Sequence, residues 1–176
     1  NVNPLYTPRE LEHQLKDSGS KAIVIIENFA TTLQSCIANT PVKHVVLCAM
    51  GDQLGFLKGM LVNYVVRNVK KLVPEYSLPG AVRFNDAIAK GQRGTFKPVD
   101  IKPDDIALLQ YTGGTTGVSK GAVLLHRNVI ANVLQAEAWN EPVMKSLPAG
   151  EQPTSICALP LYHIFAFTVN MMLGMR

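Results

Sequence analysis

One lysine, three threonines and four glycines fall within the eleven residues from Tyr111 to Gly121, YTGGTTGVSKG, and their types suit the holding of phosphate. Gly113, Gly114, Gly117 and Gly121 let the backbone turn its N–H groups into a concave nest around an anion. Thr112, Thr115 and Thr116 add hydroxyls that donate hydrogen bonds or ligate a metal, and Lys120 adds a mobile point charge. Tyr111, Val118 and Ser119 complete the segment. Ile106 to Leu109 reads as a short buried strand before it, and Asn128 to Trp139 as a helix after it, so the glycines are expected in a strand-to-helix turn. Parallel α/β proteins bind ligands at such turns.

Two familiar phosphate loops are excluded by spacing. A Walker A loop needs G-x-x-x-x-G-K followed by Ser or Thr, whereas Lys120 here follows Ser119 and precedes Gly121. A dinucleotide fingerprint needs glycines at i, i+2 and i+5, and positions 113, 114, 117 and 121 never satisfy that. A second candidate segment lies about forty residues further on. Ser155 to Leu159 reads as an apolar strand, followed by Pro160-Leu161-Tyr162-His163 and the apolar stretch Ile164 to Leu173. In isolation such a histidine more often caps or fills a core edge.

The loop resembles the phosphate-binding signature of the adenylate-forming superfamily, which comprises acyl-CoA synthetases, adenylation domains and luciferases. Tyr111 through Thr116, Gly117, Lys120 and Gly121 all fit that signature. The string LPLYHIFAF resembles the superfamily's next motif, which makes Tyr162 and His163 the implied neighbours of an acyl carboxylate. Upstream, NPLYTPRELEHQLKDSGSKAIV is similar to the amino-terminal part of bacterial long-chain fatty-acid CoA ligases, so the resemblance spans nearly the whole chain.

That resemblance implies a substrate set of ATP, fatty acid and CoA, with Mg²⁺ as cofactor. A carboxylate attacks the α-phosphate of ATP, pyrophosphate leaves, and the CoA thiol then displaces AMP to give a thioester. Residues 111–121 would bind the β- and γ-phosphates, Thr112 would touch Mg²⁺, and Lys120 and His163 would be the catalytic residues. Related enzymes acting on aryl or amino acids share the loop, and a non-catalytic nucleotide-binding module is the alternative from another class. His126, just past the loop, is expected to orient the turn rather than transfer a proton.

Composition bounds the rest. At 176 residues and 47% hydrophobic, the chain is long enough for one α/β unit burying roughly 70% of its unfolded surface. Seventeen basic against thirteen acidic residues give +4, but the bases are scattered, so nucleic-acid binding is not indicated. Cys36, Cys48 and Cys157 are odd in number and far apart, which argues against a disulfide framework and for a reducing, cytoplasmic setting. No secretory signal opens the sequence, and Pro160, His163 and Asn170 interrupt the longest apolar stretch, 156–175.

The pattern along the chain predicts α/β architecture with a mostly parallel sheet flanked by helices. Thr7-Pro8-Arg9-Glu10 is a capping box that starts a helix with Leu11 and Leu15 inward, ended by Gly19. Ala22 to Ile26 reads as a parallel strand buried on both faces, Phe29 to Ala38 as a helix, and Val45 to Cys48 as a second strand. Residues 61–73 form an amphipathic helix with Arg67, Lys70 and Lys71 on one face. It packs on the core with a solvated basic face, or it faces a membrane on the inner side of the cell or an acyl entrance. Residues 74–105 read as a long connection around a short helix, Phe84 to Ala89. The family's acidic motif, ribose-binding aspartate and mobile carboxy-terminal lysine domain are not in this sequence. The chain opens without methionine and stops at Arg176 in an apolar run, so it is expected to be part of the amino-terminal domain of a longer enzyme and inactive alone.

Overall fold

A computed structural model describes residues 1–112, 118–148 and 150–175. The chain divides into two compact units, one made of residues 4–98 and the other of residues 1–3 and 99–176. The break falls inside the 74–105 connection.

The first unit begins with α1 (Pro8–Asp17). Its first turn is closed reciprocally: the Glu10 N–H donates to Thr7 Oγ1 at 3.4 Å, and the Thr7 N–H donates to the Glu10 carboxylate at 2.8 Å. The bonds that its carboxylate accepts from the Thr7 N–H and the Thr7 hydroxyl hold the Glu10 carboxyl below its ordinary value. Gly19, at φ +63°, ends the helix where a side chain would be strained. Leu11 and Leu15 turn inward as the sequence predicts.

Three parallel strands follow in the order β1 (Ala22–Ile26), β2 (His44–Cys48), β3 (Val82–Arg83). Ile23 pairs with Val45 and Ile25 with Leu47. The helix expected over 29–38 is broken into a 3₁₀ turn (Glu27–Phe29), a short α2 (Ala30–Gln34) and a second 3₁₀ turn (Ile37–Asn39). Thr31, Thr32 and Ser35 suit a helix interior poorly, and Ser35 Oγ donates back to the Thr31 carbonyl at 2.8 Å. Ala30, Leu33 and Cys36 are buried, as are Ile23, Val45 and Leu47 of the sheet, and full burial of Leu33 alone is worth about 2 kcal/mol.

β1 departs from the two-faced burial expected of it. Ile23 is 8% exposed but Val24, one residue on and so on the opposite face, is 62% exposed. The helix expected over 61–73 starts earlier, as α3 (Phe56–Tyr64), and continues as a π-helical turn (Val65–Val69) that stops at Lys70 and Lys71. Lys71 has φ +50°, a left-handed conformation that ends the helix. Arg67 leaves the basic face assigned to it: its Nε and Nη2 donate to the two carboxylate oxygens of Glu27 at 2.7 and 2.9 Å. The short helix expected near 84–89 is present as α4 (Phe84–Gln92).

The second unit has a different grain. β4 (Ile106–Thr112) and β5 (Lys120–Leu125) pair antiparallel, and β5 runs directly into α5 (His126–Lys145). The strand-to-helix turn of the sequence reading is therefore a β-hairpin followed by a helix. The run Gly121-Ala122-Val123-Leu124-Leu125 is what forms the extra strand. No strand forms at 155–159 among the described residues, where Ile156 is 89% exposed and no neighbouring strand offers a ladder. The apolar stretch beyond it forms a π-helical segment (Ala166–Met172) and a final 3₁₀ turn (Leu173–Met175).

Candidate functional site

The hairpin positions the chemistry of residues 111–121. Gly113 to Gly117 lie outside the described residues, so Thr115 and Thr116 are not placed. Thr112 pairs with Lys120, and Tyr111 pairs with Gly121. Directly opposed residues of an antiparallel pair share a face, and successive residues alternate. Thr112 and Lys120 thus project together on one face at the base of the loop, while Tyr111 and Gly121 occupy the other. Both Thr112 and Lys120 are exposed, and Tyr111 is buried.

Two contacts close the base of the loop. Ser119 Oγ donates to the Thr112 carbonyl at 2.7 Å. The Tyr111 ring covers Gly121 so closely that a Cβ there would stand 2.9 Å from Tyr111 Cζ. Val118 is 63% exposed between them. The roles of Tyr111 and Ser119 in fixing the hairpin were missed by sequence reasoning, because they exist only once β5 is recognised as a strand.

Downstream, the hairpin is pinned where α5 begins. The His126 N–H donates to the Asp105 carbonyl at 3.1 Å and the Arg127 N–H to the Pro103 carbonyl at 2.9 Å. The Leu125 N–H is taken by Asn128 Oδ1 at 3.0 Å, and Arg127 pairs with Asp104 at 2.8 Å. His126 thus meets the turn through its backbone N–H.

Tyr162 and His163 sit in a turn that opens the next helical segment. His163 N–H donates to the Pro160 carbonyl at 2.9 Å, and His163 Nδ1 accepts from the Phe165 N–H at 3.3 Å. That second bond is a cap, and it leaves Nε2 as the nitrogen that can face a ligand. The bonds described for His163 all lie within its own turn. α5 packs against both hairpin strands and against the 166–175 segment, so it supports both candidate regions. Ile130, Val133 and Leu134 of α5, with Met172 and Met175, line an apolar groove of about 250 Å³.

Glu27 is the residue of greatest electrostatic consequence that the sequence did not reveal. It is 2% exposed, yet ionised and held by three hydrogen bonds: two from Arg67 and one from Arg83 Nη1 at 3.0 Å. Burial alone would raise its pKa, but the hydrogen bonds and charges of Arg67 and Arg83 outweigh that and hold it below the ordinary value of 4.5. The Cys36 and Cys48 thiols move the other way, pushed up by burial and by the charges of Glu12 and Asp52 respectively. All three cysteines are free. Among the described residues no cluster of three His, Cys, Asp or Glu side chains could hold a metal.

The chain is thus an α/β protein whose Thr112 and Lys120 stand at paired positions at the base of a glycine-rich hairpin. The family model "AMP-binding enzyme" matches residues 1–176, and the chain belongs to that family. It is 56% identical over 173 residues to the long-chain-fatty-acid–CoA ligase of Haemophilus influenzae, covering 98% of this chain and 30% of that protein. The corresponding ligase of Salmonella typhi is 53% identical over the same shares. 4-Coumarate–CoA ligase 2 of Oryza sativa subsp. japonica is 31% identical, covering 99% of this chain and 28% of that protein. The chain thus spans about 30% of the length of the ligases it resembles. Among solved structures, a luciferase from Phrixothrix hirtus superposes with a TM-score of 0.59 at 18% identity, over 98% of this chain and 28% of that one. A long-chain-fatty-acid-CoA ligase from Archaeoglobus fulgidus gives 0.56 at 23%, over 98% and 27%. These superpositions show that the chain shares the fold of the corresponding parts of those proteins.

Proposed function

We propose that this chain is the phosphate-binding segment of an ATP-dependent long-chain fatty acid:CoA ligase, and that it does not turn over alone. One observation carries the reading: Thr112 and Lys120 face each other at the base of the 113–119 loop, with Ser119 tying its two sides. Negative charge builds on the departing pyrophosphate as the acyl carboxylate attacks the α-phosphate. Loop N–H groups, the threonine hydroxyls and the Lys120 ammonium stabilise that charge where it forms. Mg²⁺ suits such a site, because it takes most of its oxygen ligands from phosphate and water and needs few from protein, here the Thr112 hydroxyl. When bound it neutralises phosphate charge. Tyr162 and His163, through Nε2, border the carboxylate in this reading, and the 130–175 groove is apolar as a hydrocarbon chain requires. CoA enters as the second acceptor. The free thiols support a reducing, cytoplasmic setting.

The rice relative keeps aryl acids in play as the second reading. Pyrophosphate release decides between them. With ATP, Mg²⁺, CoA and a panel of acids, the full-length enzyme should release pyrophosphate with long-chain acids. Release only with aryl acids would transfer the assignment, and no release with any acid would support a non-catalytic nucleotide-binding module.

A further inference from the structure

We infer that Tyr111 is a positioning residue for Lys120: by lying on Gly121 it selects the strand register that puts the Lys120 side chain on the face of Thr112. The hairpin ladder carries the mark of two competing registers. At the end next to α5, Ile106 pairs with Leu125. A straight antiparallel ladder from that pair would set Ala107 against Leu124 and, further along, Tyr111 against Lys120. Instead Leu108 pairs with Leu124, so Ala107 is an extra residue in β4. Beyond it Tyr111 meets Gly121 and Thr112 meets Lys120. Side chains alternate between faces, so a step of one residue decides which face Lys120 joins. In the straight register it would share the face of Tyr111 and point away from Thr112.

The extra residue sits between two anchors. At the α5 end, the Asp105 carbonyl takes the His126 N–H at 3.1 Å and the Pro103 carbonyl takes the Arg127 N–H at 2.9 Å. Asp105 also closes its own turn, its Oδ2 accepting the Lys102 N–H at 2.8 Å. That end is stitched through the backbone and resists sliding. At the loop end the anchor is Tyr111, which is 8% exposed. A Cβ at position 121 would stand 2.9 Å from its Cζ, so the seat beneath the ring suits glycine. Gly121 is the one glycine in β5. Lys120 in that seat would bring a Cβ under the ring and an ammonium onto a buried face, which costs free energy. Tyr111 thus reads β5 for its glycine, and Lys120, one residue away, is delivered to the other face opposite Thr112. Ser119, whose Oγ donates to the Thr112 carbonyl at 2.7 Å, fits the same register. Bulges beside functional sites commonly re-aim a side chain in this way.

Cysteine pairs in the full-length enzyme read the register without turnover, so they are independent of the ligase reading. Gln110→Cys with Ala122→Cys is a facing pair in the observed ladder, whereas Leu109→Cys with Ala122→Cys faces only in the straight one. After mild oxidation the linked peptides are quantified by mass spectrometry. With Tyr111 in place, the 110–122 link should form and the 109–122 link should not. Tyr111→Leu keeps apolar bulk but has no ring, and should raise the ratio of 109–122 to 110–122 links about tenfold, as for loss of one aromatic contact. Gly121→Ala, which keeps the ring and fills its seat, should shift the links the same way. Tyr111→Phe should restore the 110–122 link. The kinetic arm rests on the ligase reading: Tyr111→Leu should slow pyrophosphate release, and Tyr111→Leu with Lys120→Ala should be no slower than Lys120→Ala alone. A 109–122 link in the enzyme with Tyr111 overturns the inference, as does an unchanged link pattern in both Tyr111→Leu and Gly121→Ala. Losses that multiply in the double variant also overturn it, because Tyr111 would then act apart from Lys120. Wild type that releases no pyrophosphate with any acid ends the ligase reading instead, and the links still decide the register.

Discussion

The ring of Tyr111 lies across Gly121, its partner in the opposite strand, leaving no room for a side chain. An aromatic ring shields the backbone that a strand glycine leaves bare, and the glycine lets the ring lie flat at the base of the loop. The first and last residues of YTGGTTGVSKG are therefore one structural unit.

Gly121→Ala should accordingly destabilise by about 1–3 kcal/mol, the usual cost of overpacking. Adding Tyr111→Ala removes the clash, so the double variant should be more stable than the sum of the two single changes predicts. Additive losses, measured by urea denaturation of the full-length enzyme, would show that the ring does not hold this position.

Ser119→Ala removes the bond to the Thr112 carbonyl without touching the loop glycines. A single hydrogen bond of about 1 kcal/mol corresponds to roughly fivefold, expected as a rise in the KM for ATP with the melting midpoint little changed. An unchanged KM would mean that the closed neck has no bearing on nucleotide binding.

Lys120→Ala should slow pyrophosphate release by about 10²–10³-fold, the effect typical of losing one preorganised group opposite developing charge. Lys120 is exposed at the base of the hairpin, so stability should barely move. A variant as fast as wild type would refute its role.

Glu27 predicts an acid-labile first unit. Its folded pKa lies below 4.5, so its contribution is complete above that value and is lost as pH falls through the lower folded value. Glu27→Gln should cost about 3 kcal/mol at neutral pH, the low end for breaking a buried pair, because Arg67 and Arg83 are partly exposed and can turn to water. The variant should also flatten the acid limb of the stability curve in pH-dependent denaturation; an unaltered limb assigns the acid sensitivity elsewhere.

The chain of 176 residues, taken alone, should bind ATP weakly or undetectably in calorimetry, since it spans only about 30% of the length of the ligases it resembles. Micromolar affinity would relocate the nucleotide site.

The parts of the fold legible in the sequence are those fixed by short-range chemistry. The Thr7 to Glu10 capping box, Gly19 and the β-branched runs at 22–26 and 45–48 each dictate local geometry, and α1, β1 and β2 follow them. What stayed hidden depends on partners distant in sequence. β5 became a strand because β4 lies beside it, whereas Ser155 to Leu159, equally apolar, has no such neighbour among the described residues. Arg67 belongs by periodicity to a basic face, but its guanidinium reaches Glu27, forty residues earlier, and no local pattern encodes that pair. For the candidate site, residue types pointed to phosphate chemistry and nominated Thr112 and Lys120 for it. The facing of those two residues, and the lock by Ser119, required the strand register.

Leu125 ends β5 and His126 begins α5 with no residue between them. A twenty-residue helix is a rod of about 30 Å, and its near end is nailed to Pro103 and Asp105 just ahead of β4. With no residue between strand and helix, that joint has no loop to absorb a displacement of β5. The flank of the same rod carries Ile130, Val133 and Leu134, which line the groove with Met172 and Met175, so the hairpin and that groove share one rigid support.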